Sequence, residues 1–145
     1  GRKVKGRGLL LFAFFTYFKP KGGKMKNTTA LKLNKDFRRL YYKGKSIACG
    51  YVVVYVGKNR LSSNRLGLTC GKTVGKAVTR NRVKRLMRES YRLCEIRLKT
   101  GYDIVIVARV KAAGKSLDAI GKDIRYAFYK LEIMKKDEKD TDTDN

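Results

Sequence analysis

The sequence predicts an α/β fold, a two-layer sandwich in which helices pack on a mixed β-sheet. Segments with helical periodicity alternate along the chain with segments rich in β-branched and aromatic residues. Segment 102–110, YDIVIVARV, is almost continuously apolar, as expected for a strand that is covered on both faces. The chain has 145 residues, 43% of them hydrophobic, which suits one domain with a core of its own.

The first predicted element is a helix. Phe37, Leu40 and Tyr41 recur at intervals of three and four residues, which places them on one helical face. Asn34 or Asp36 precedes or opens this pattern, and either side chain can cap the first turn. We therefore expect an amphipathic helix that ends before the strand segment that follows it.

Two strands and a turn are predicted next. Segment 46–56 is rich in β-branched and aromatic residues, and segment 65–70 reads as a second strand. Segment 57–64 between them contains turn-forming residues. We expect the two strands to pair as an antiparallel hairpin, with a further strand where residues 47–56 bend.

The second half is predicted as helix, strand and helix, which gives the order α-β-β(β)-α-β-α. The long helix covers about residues 75–99, and the apolar strand at 102–110 follows it. Ser116 or Asp118 can cap the last helix. Five apolar side chains share one face of that helix, namely Leu117, Ile120, Ile124, Phe128 and Leu131.

The working domain is expected to span residues 25–136. Residues 1–24 combine a basic, glycine-rich start with the apolar block Leu9–Phe18, which imitates a signal peptide. Lysines and a proline stand where a cleavage site needs small residues, and Met25 reads naturally as a start. We expect residues 1–24 to be an upstream extension, with a membrane-binding segment as the alternative. Residues 137–145 are polar and acidic, and we expect a disordered tail.

The charge predicts a polyanionic partner. Lys and Arg number 36 against 12 Asp and Glu, so the net charge is +24. The acidic tail holds five of the twelve acids, so the domain itself is still more basic. Such a surface suits a polyphosphate such as RNA, with an anionic membrane as the weaker candidate. No apolar run reaches the roughly 18 residues that a membrane-spanning helix needs.

Segment 79–90, TRNRVKRLMRES, concentrates this charge on the long helix. At 100° per residue one face is core-like, formed by Val83, Leu86, Met87, Ser90, Leu93 and Cys94. The other face, here called the cationic stripe, carries Arg80, Asn81, Lys84, Arg85, Arg88 and Arg92. Like charges at i, i+4 repel one another, so we interpret the stripe as a phosphate-binding surface rather than a merely solvated face.

Aromatic residues predict a second binding surface. Phe37 and Tyr41 lie one turn apart on the first helix, while Tyr51, Val53 and Tyr55 alternate on one face of a strand. A helix beside that strand would form a groove with aromatic walls, on which the bases of single-stranded nucleic acid stack. The alternative is that these residues are ordinary core.

The residues of acid–base and metal catalysis are missing or scattered. The chain has no His, the carboxylates of its predicted domain are few and scattered, and no Ser or Cys nucleophile has a base beside it. Cys49, Cys70 and Cys94 are odd in number and form no CxxC pair, so we expect reduced thiols in a cytosolic protein. The sequence predicts neither a catalytic site nor a metal site in this chain.

Segment 65–89 resembles the bacterial ribonuclease P protein family. The family pattern is close to R-x-G-x-x-[VS]-S-K-K-x-G-x-A-V-x-R-N-R-x-K-R-x-x-R-E, and the resemblance extends over about residues 25–136. The matching residues are Arg65, Gly67, Lys72, Gly75, Ala77, Val78, Arg80, Asn81, Arg82, Lys84, Arg85, Arg88 and Glu89. Gly71-Lys72-Thr73 departs from the family's S-K-K, which puts electrostatic attraction at that point in doubt.

This resemblance implies a fold and an activity. The implied fold contains a left-handed βαβ crossover made by the long helix. The implied activity is that of the RNA-binding subunit of a cytoplasmic endoribonuclease, whose RNA subunit uses Mg²⁺ to remove the 5′ leader from precursor tRNA. The implied partners are that RNA subunit and precursor tRNA, with no membrane and no small-molecule ligand. A basic structural RNA-binding protein, such as a ribosomal protein, remains the alternative, and a membrane-active protein is a third.

The resemblance also implies two sets of binding residues. The first would bind the catalytic RNA and consists of Arg80, Asn81, Arg82, Lys84, Arg85 and Arg88. The second would bind the single-stranded leader and consists of Phe37, Tyr41, Val53, Tyr55, Arg65, Thr69 and Lys72.

Overall fold

The computed structural model describes residues 25–136, so the predictions made for residues 1–24 and 137–145 lie outside it. The strands are β1 (Thr28–Ala30), β2 (Lys45–Ala48), β3 (Val52–Lys58), β4 (Asn64–Thr69) and β5 (Tyr102–Ala108). The α-helices are α1 (Asn34–Lys43), α2 (Ala77–Cys94) and α3 (Leu117–Lys130). Short 3₁₀ turns occur at Lys72–Val74, Glu95–Arg97 and Val110–Ala112.

The strands form one mixed sheet in the order β1-β4-β5-β3-β2. β1 and β5 run parallel to β4, whereas β3 runs antiparallel to both β5 and β2. The predicted α/β class with one mixed sheet is therefore confirmed. Strand β1, which has three residues at the sheet edge, was not predicted. The parallel neighbours β4 and β5 are joined through α2, and the hand of this crossover stays a prediction of the resemblance.

The predicted hairpin between segments 46–56 and 65–70 is wrong. β5 lies between β3 and β4, so these two strands are not neighbours. The hairpin is instead β2–β3, where the Cys49 amide donates to the carbonyl of Val52 at 2.8 Å. β5 takes the central position because its apolar side chains alternate between two buried faces, as at Ile104 and Val105.

The helix ends differ from the predicted ones in two places. α2 ends at Cys94 and passes into a 3₁₀ turn, whose Glu95 carboxylate accepts backbone hydrogen bonds from Lys26 and Asn27. α1 has no side-chain cap, because neither predicted residue occupies the capping position. α3 is capped as predicted, by a hydrogen bond from the Ala119 amide to the Ser116 hydroxyl at 3.1 Å.

Helices cover the two faces of the sheet unequally. α2 and α3 pack on one face and enclose the larger core, in which the Tyr91 and Phe128 rings meet edge to face with centroids 6.0 Å apart. α1 lies on the opposite face, over a smaller core of Leu31, Leu40 and Val105. The sheet with α2 and α3 therefore forms the two main layers, and α1 is a partial cover on the far side. None of the helices in residues 25–136 is long and apolar enough to cross a bilayer.

Candidate RNA-binding surfaces

The face of the sheet beneath α1 carries an aromatic groove. It consists of Phe37 and Tyr41 from α1, Val53 and Tyr55 from β3, and Thr69 from β4. The ring centroids of Tyr41 and Tyr55 are 5.0 Å apart in an edge-on arrangement, and those of Phe37 and Tyr41 are 6.5 Å apart. Tyr41 is 42% exposed, and the other four groove residues are partly exposed. The structure thus brings these five predicted residues onto one accessible surface.

Strand register explains why the groove forms. Val53 pairs with Val107, and Val107 also pairs with Thr69, so the three side chains form a row across β3, β5 and β4. The next row on the same face is formed in the same way by Tyr55, Val105 and Gly67. Residues two apart on a strand share a face, so the two rows are neighbours on the groove floor.

Gly67 sets how closely α1 approaches the sheet. A Cβ atom at this position would lie 2.5 Å from Cζ and 2.6 Å from Cε1 of Phe37. The Phe37 ring therefore rests directly on the backbone of β4, which only a residue without a side chain permits. Sequence reasoning matched Gly67 to the family pattern but gave it no role in the groove. A glycine inside a strand is the signal that could have shown it.

Tyr51 does not belong to this groove, contrary to the predicted alternation with Val53 and Tyr55. It precedes β3 in the turn that starts at Cys49, and its ring packs against the larger core on the other face. Alternation applies only within a regular strand, and the turn breaks it.

An ion-pair network around two buried carboxylates fastens α1 at one end of the groove. Asp103 on β5 has a side chain only 1% exposed, and it accepts two hydrogen bonds from Arg65, at 2.8 and 2.7 Å. Arg39 of α1 reaches the same carboxylate at 2.8 Å, and Asn59 donates to it at 3.0 Å. Asp36 of α1 pairs with Arg39 at 3.1 Å and with Arg65 at 3.5 Å.

These contacts shift the pKa values of both main partners. Burial raises the pKa of the Asp103 carboxyl, but hydrogen bonds from Arg65 and Asn59 and the charges of Arg65 and Arg39 together lower it below its ordinary value. The hydrogen bond to Asp103 raises the pKa of Arg65 above its ordinary value, although burial opposes this. Arg65, predicted as a leader ligand, thus has its guanidinium engaged with two carboxylates.

Lys72 lies outside the groove. It is exposed in the 3₁₀ turn that links β4 to α2. A side chain at Gly71 would meet nothing nearer than the Thr73 hydroxyl, at 3.9 Å. The serine of the family pattern would therefore fit here without a clash.

Cys70, at the start of the same connection, is half-buried. Burial raises the pKa of the Cys70 thiol above its ordinary value, although the positive charges of Lys84 and Arg80 oppose this shift.

The cationic stripe lies on α2, on the opposite side of the sheet from the groove. Val83, Met87, Ser90 and Cys94 of α2 are buried as predicted, while Leu86 is only partly buried against the same core. Three arginines of this helix donate to other protein groups. The Nε of Arg80 donates to the Gly75 carbonyl at 3.1 Å, and Arg82 donates to the Lys115 carbonyl at 3.2 Å.

Arg92 is the third arginine of α2 that donates to another protein group. Its guanidinium pairs with Glu89 at 2.8 Å, which partly neutralises its charge. The other four members of the predicted RNA-binding set have no such partners among the described residues. Within residues 25–136, the side chains of Asn81, Lys84, Arg85 and Arg88 make no hydrogen bond or ion pair, and all but Lys84 are exposed. The structure thus leaves an unneutralised cationic surface along the first three turns of α2.

Residues 25–136 offer few side chains suited to catalysis or metal binding. In the described part of the chain, no three His, Cys, Asp or Glu side chains converge as metal ligands would. All three cysteines are free thiols, and burial raises the pKa of Cys94 to about 12. Such a thiol remains protonated at neutral pH and is a poor nucleophile.

Comparisons with known proteins agree with this arrangement. Residues 25–132 match the family model described as Ribonuclease P. A ribonuclease P protein component of Clostridioides difficile (strain 630) is 44% identical over 107 residues, which are 73% of this chain and 94% of the relative. Another, from Clostridium botulinum (strain Loch Maree / Type A3), is 48% identical over 107 residues, or 73% of this chain and 91% of the relative.

Solved structures show the same similarity. The Staphylococcus aureus RNase P protein at 2.0 Å matches with a TM-score of 0.67 and 30% identity, over 75% of this chain and 98% of that one. The RNase P protein from Thermotoga maritima matches with a TM-score of 0.62 and 31% identity, over 67% of this chain and 92% of that one. This chain therefore belongs to the family of ribonuclease P protein components.

Proposed function

We propose that the cationic stripe of α2 binds the RNA subunit of a cytoplasmic ribonuclease P, and that the aromatic groove binds the single-stranded 5′ leader of precursor tRNA. The observation that carries this proposal is the cationic surface of Lys84, Arg85 and Arg88, with which no carboxylate of residues 25–136 forms an ion pair. Arginine forks grip phosphate in two places, so such a surface suits a folded RNA backbone. A basic structural protein such as a ribosomal protein is not favoured, because the relatives are ribonuclease P protein components.

The groove suits a flexible single strand better than a helix. Tyr41 and Tyr55 present partly exposed rings, and Val53, Thr69 and Val107 form an uncharged floor beside them. Bases can stack on such rings with little sequence preference, while the phosphates of the same strand stay in solvent. Lys72 lies just beyond the groove row at Thr69, where it can attract the leader backbone.

Cleavage itself is assigned in this proposal to the RNA subunit with Mg²⁺. The described residues contain no set of side chains that fits a protein-bound metal. The protein's share is to bind the RNA subunit on one face and the substrate leader on the other, which holds the leader near the catalytic RNA.

Reconstitution tests this proposal. We expect Mg²⁺-dependent removal of the leader when the chain is mixed with a bacterial ribonuclease P RNA and precursor tRNA near physiological salt. The protein alone should not cleave. If the chain fails to stimulate the RNA under these conditions, the proposal is wrong and a purely structural RNA-binding role becomes the better explanation.

Arg88→Ala is expected to weaken binding of the RNA subunit and to flatten its salt dependence. The slope of log K against log salt is negative, and each phosphate contact makes it steeper by about 0.9 for duplex DNA and by less for single strands. The loss of one contact should therefore make the slope shallower by roughly 0.7–0.9. The measurement is a titration of labelled RNA at several salt concentrations. Lys45→Ala, on edge strand β2 far from α2, is the matched control and should keep the wild-type slope.

A further inference from the structure

Lys115, just before α3, makes contacts through both its backbone and its side chain. Its backbone carbonyl accepts a hydrogen bond from Nη1 of Arg82 at 3.2 Å. Its ammonium nitrogen lies 5.3 Å from the centroid of the Tyr51 ring, within the range of a cation–π contact. Lys115 therefore lies beside the first turns of α2, although it is distant from them in sequence.

Tyr51 is itself firmly placed. Its backbone amide donates to Oδ2 of Asp123 at 2.7 Å, and its carbonyl accepts from the Arg109 amide at 2.9 Å. Its ring packs against the larger core. A lysine side chain over a fixed ring samples fewer conformations than a free one, so less entropy is lost when it binds a ligand.

The charge at this point selects the kind of ligand. Within residues 25–136 no carboxylate forms an ion pair with Lys115 or with Arg82. Arg82 lies on α2 and Lys115 lies in the segment just before α3, and the hydrogen bond from Arg82 to the Lys115 carbonyl holds the two residues side by side. An anion that binds between them would meet two positive charges rather than one. Tyr51 packs on the side of the sheet that holds α2 and α3, which separates the pair from the aromatic groove on the other side.

We propose that Arg82 and Lys115 form a phosphate-binding site for the backbone of the RNA subunit, with Tyr51 as the residue that positions Lys115. This inference rests on the proposed function and extends it. The surface that binds the RNA subunit then continues from α2 across to the start of α3, beyond the segment that carries the family pattern.

The test compares three variants of the full chain in salt-dependent binding to a bacterial ribonuclease P RNA. Lys115→Gln should make the negative slope of log K against log salt shallower by roughly 0.7–0.9, as expected for one lost phosphate contact. Lys115→Arg should keep most of the slope, because it keeps the charge. Lys130→Gln, at the exposed far end of α3, is the matched control and should bind like the wild type.

Two outcomes would overturn the inference. If Lys115→Gln keeps the wild-type slope while Arg88→Ala flattens it, the RNA subunit binds α2 but not Lys115, and only this inference fails. If Lys115→Gln lowers the melting temperature but not the slope, the contact with Tyr51 is structural only. A wild-type slope in both Lys115→Gln and Arg88→Ala would instead overturn the proposed function.

Variants of Tyr51 test its role in positioning Lys115. Tyr51→Leu should lower the affinity for the RNA subunit, whereas Tyr51→Phe should preserve it.

Discussion

Replacing Asp103 with alanine is expected to destabilise the fold by about 1.5–3 kcal/mol, the usual contribution of hydrogen bonds to a charged group, because the Arg39 and Arg65 side chains left behind are 47% and 26% exposed. The side chain of Asp103 is 1% exposed, and it accepts hydrogen bonds from Arg39, Arg65 and Asn59. Without it, the guanidinium of Arg65 keeps only the longer contact with Asp36. Part of the attachment of α1 to the sheet is lost with it.

Denaturant unfolding measures this cost directly. The matched control is Glu89→Ala, which removes the carboxylate of a partly buried pair between residues three apart on α2. Its cost should be about 0.2–0.5 kcal/mol, as for other ion pairs at this spacing within one helix. Equal, small losses in both variants would mean that the Asp103 network contributes nothing beyond an ion pair within one helix.

The same network predicts how stability changes in acid. The pKa of Asp103 is lower in the folded chain than its ordinary value of 3.8, so the folded state favours the ionised carboxylate. Its contribution is complete above the ordinary value and is lost as the pH falls through the lower, folded one. The wild type should therefore lose more stability than Asp103→Asn below pH 3.8. Parallel losses in urea titrations at acidic pH would contradict this.

Phe37→Ala is expected to weaken binding of precursor tRNA with a leader while leaving mature tRNA nearly unaffected. One stacked base contributes about 1–3 kcal/mol, so the affinity for the precursor should fall by roughly 5-fold to 150-fold. Gly67→Ala should act in the same direction, because its new methyl group would occupy the position of the Phe37 ring. Gly67 cannot itself stack on a base, so an effect of Gly67→Ala on leader binding would act through the position of the Phe37 ring.

Binding of a precursor and a leaderless tRNA to the reconstituted complex checks this prediction. The matched control is Tyr42→Ala, because Tyr42 neighbours Tyr41 on α1 but is 87% exposed and belongs to neither core. It should bind both RNAs like the wild type. If Phe37→Ala weakens both RNAs equally, Phe37 is only a core residue that supports α1.

Local sequence patterns predicted the helices and strands well, but they predicted poorly which strands are adjacent in the sheet. The spacing of Phe37 and Tyr41, and the alternation of Val53 and Tyr55, were enough to place four groove residues on facing elements. The same reasoning placed β4 beside β3, because a turn-rich connector usually joins paired strands. It could not show that β5, from much later in the chain, enters between them.

The ion-pair network around Asp103 and the contact between Arg82 and Lys115 could not be predicted from the sequence, for a similar reason. Arg65 and Asp103 are 38 residues apart, and Arg82 and Lys115 are 33 apart. No periodicity within one element indicates such a pair, since it depends on which strands and helices become neighbours. The family resemblance named Arg65 as a ligand, and only the structure shows two carboxylates beside it.

The cationic stripe and the aromatic groove lie on opposite sides of one sheet, and this has a consequence for the assembled complex. Two RNA molecules repel each other strongly at short range because both backbones are densely charged. With the five-stranded sheet between them, each RNA would meet a protein surface suited to it, and neither would need to approach the other's phosphates on the same side. In a complex of the proposed kind, the protein would thus hold the leader near the catalytic RNA while keeping their backbones apart.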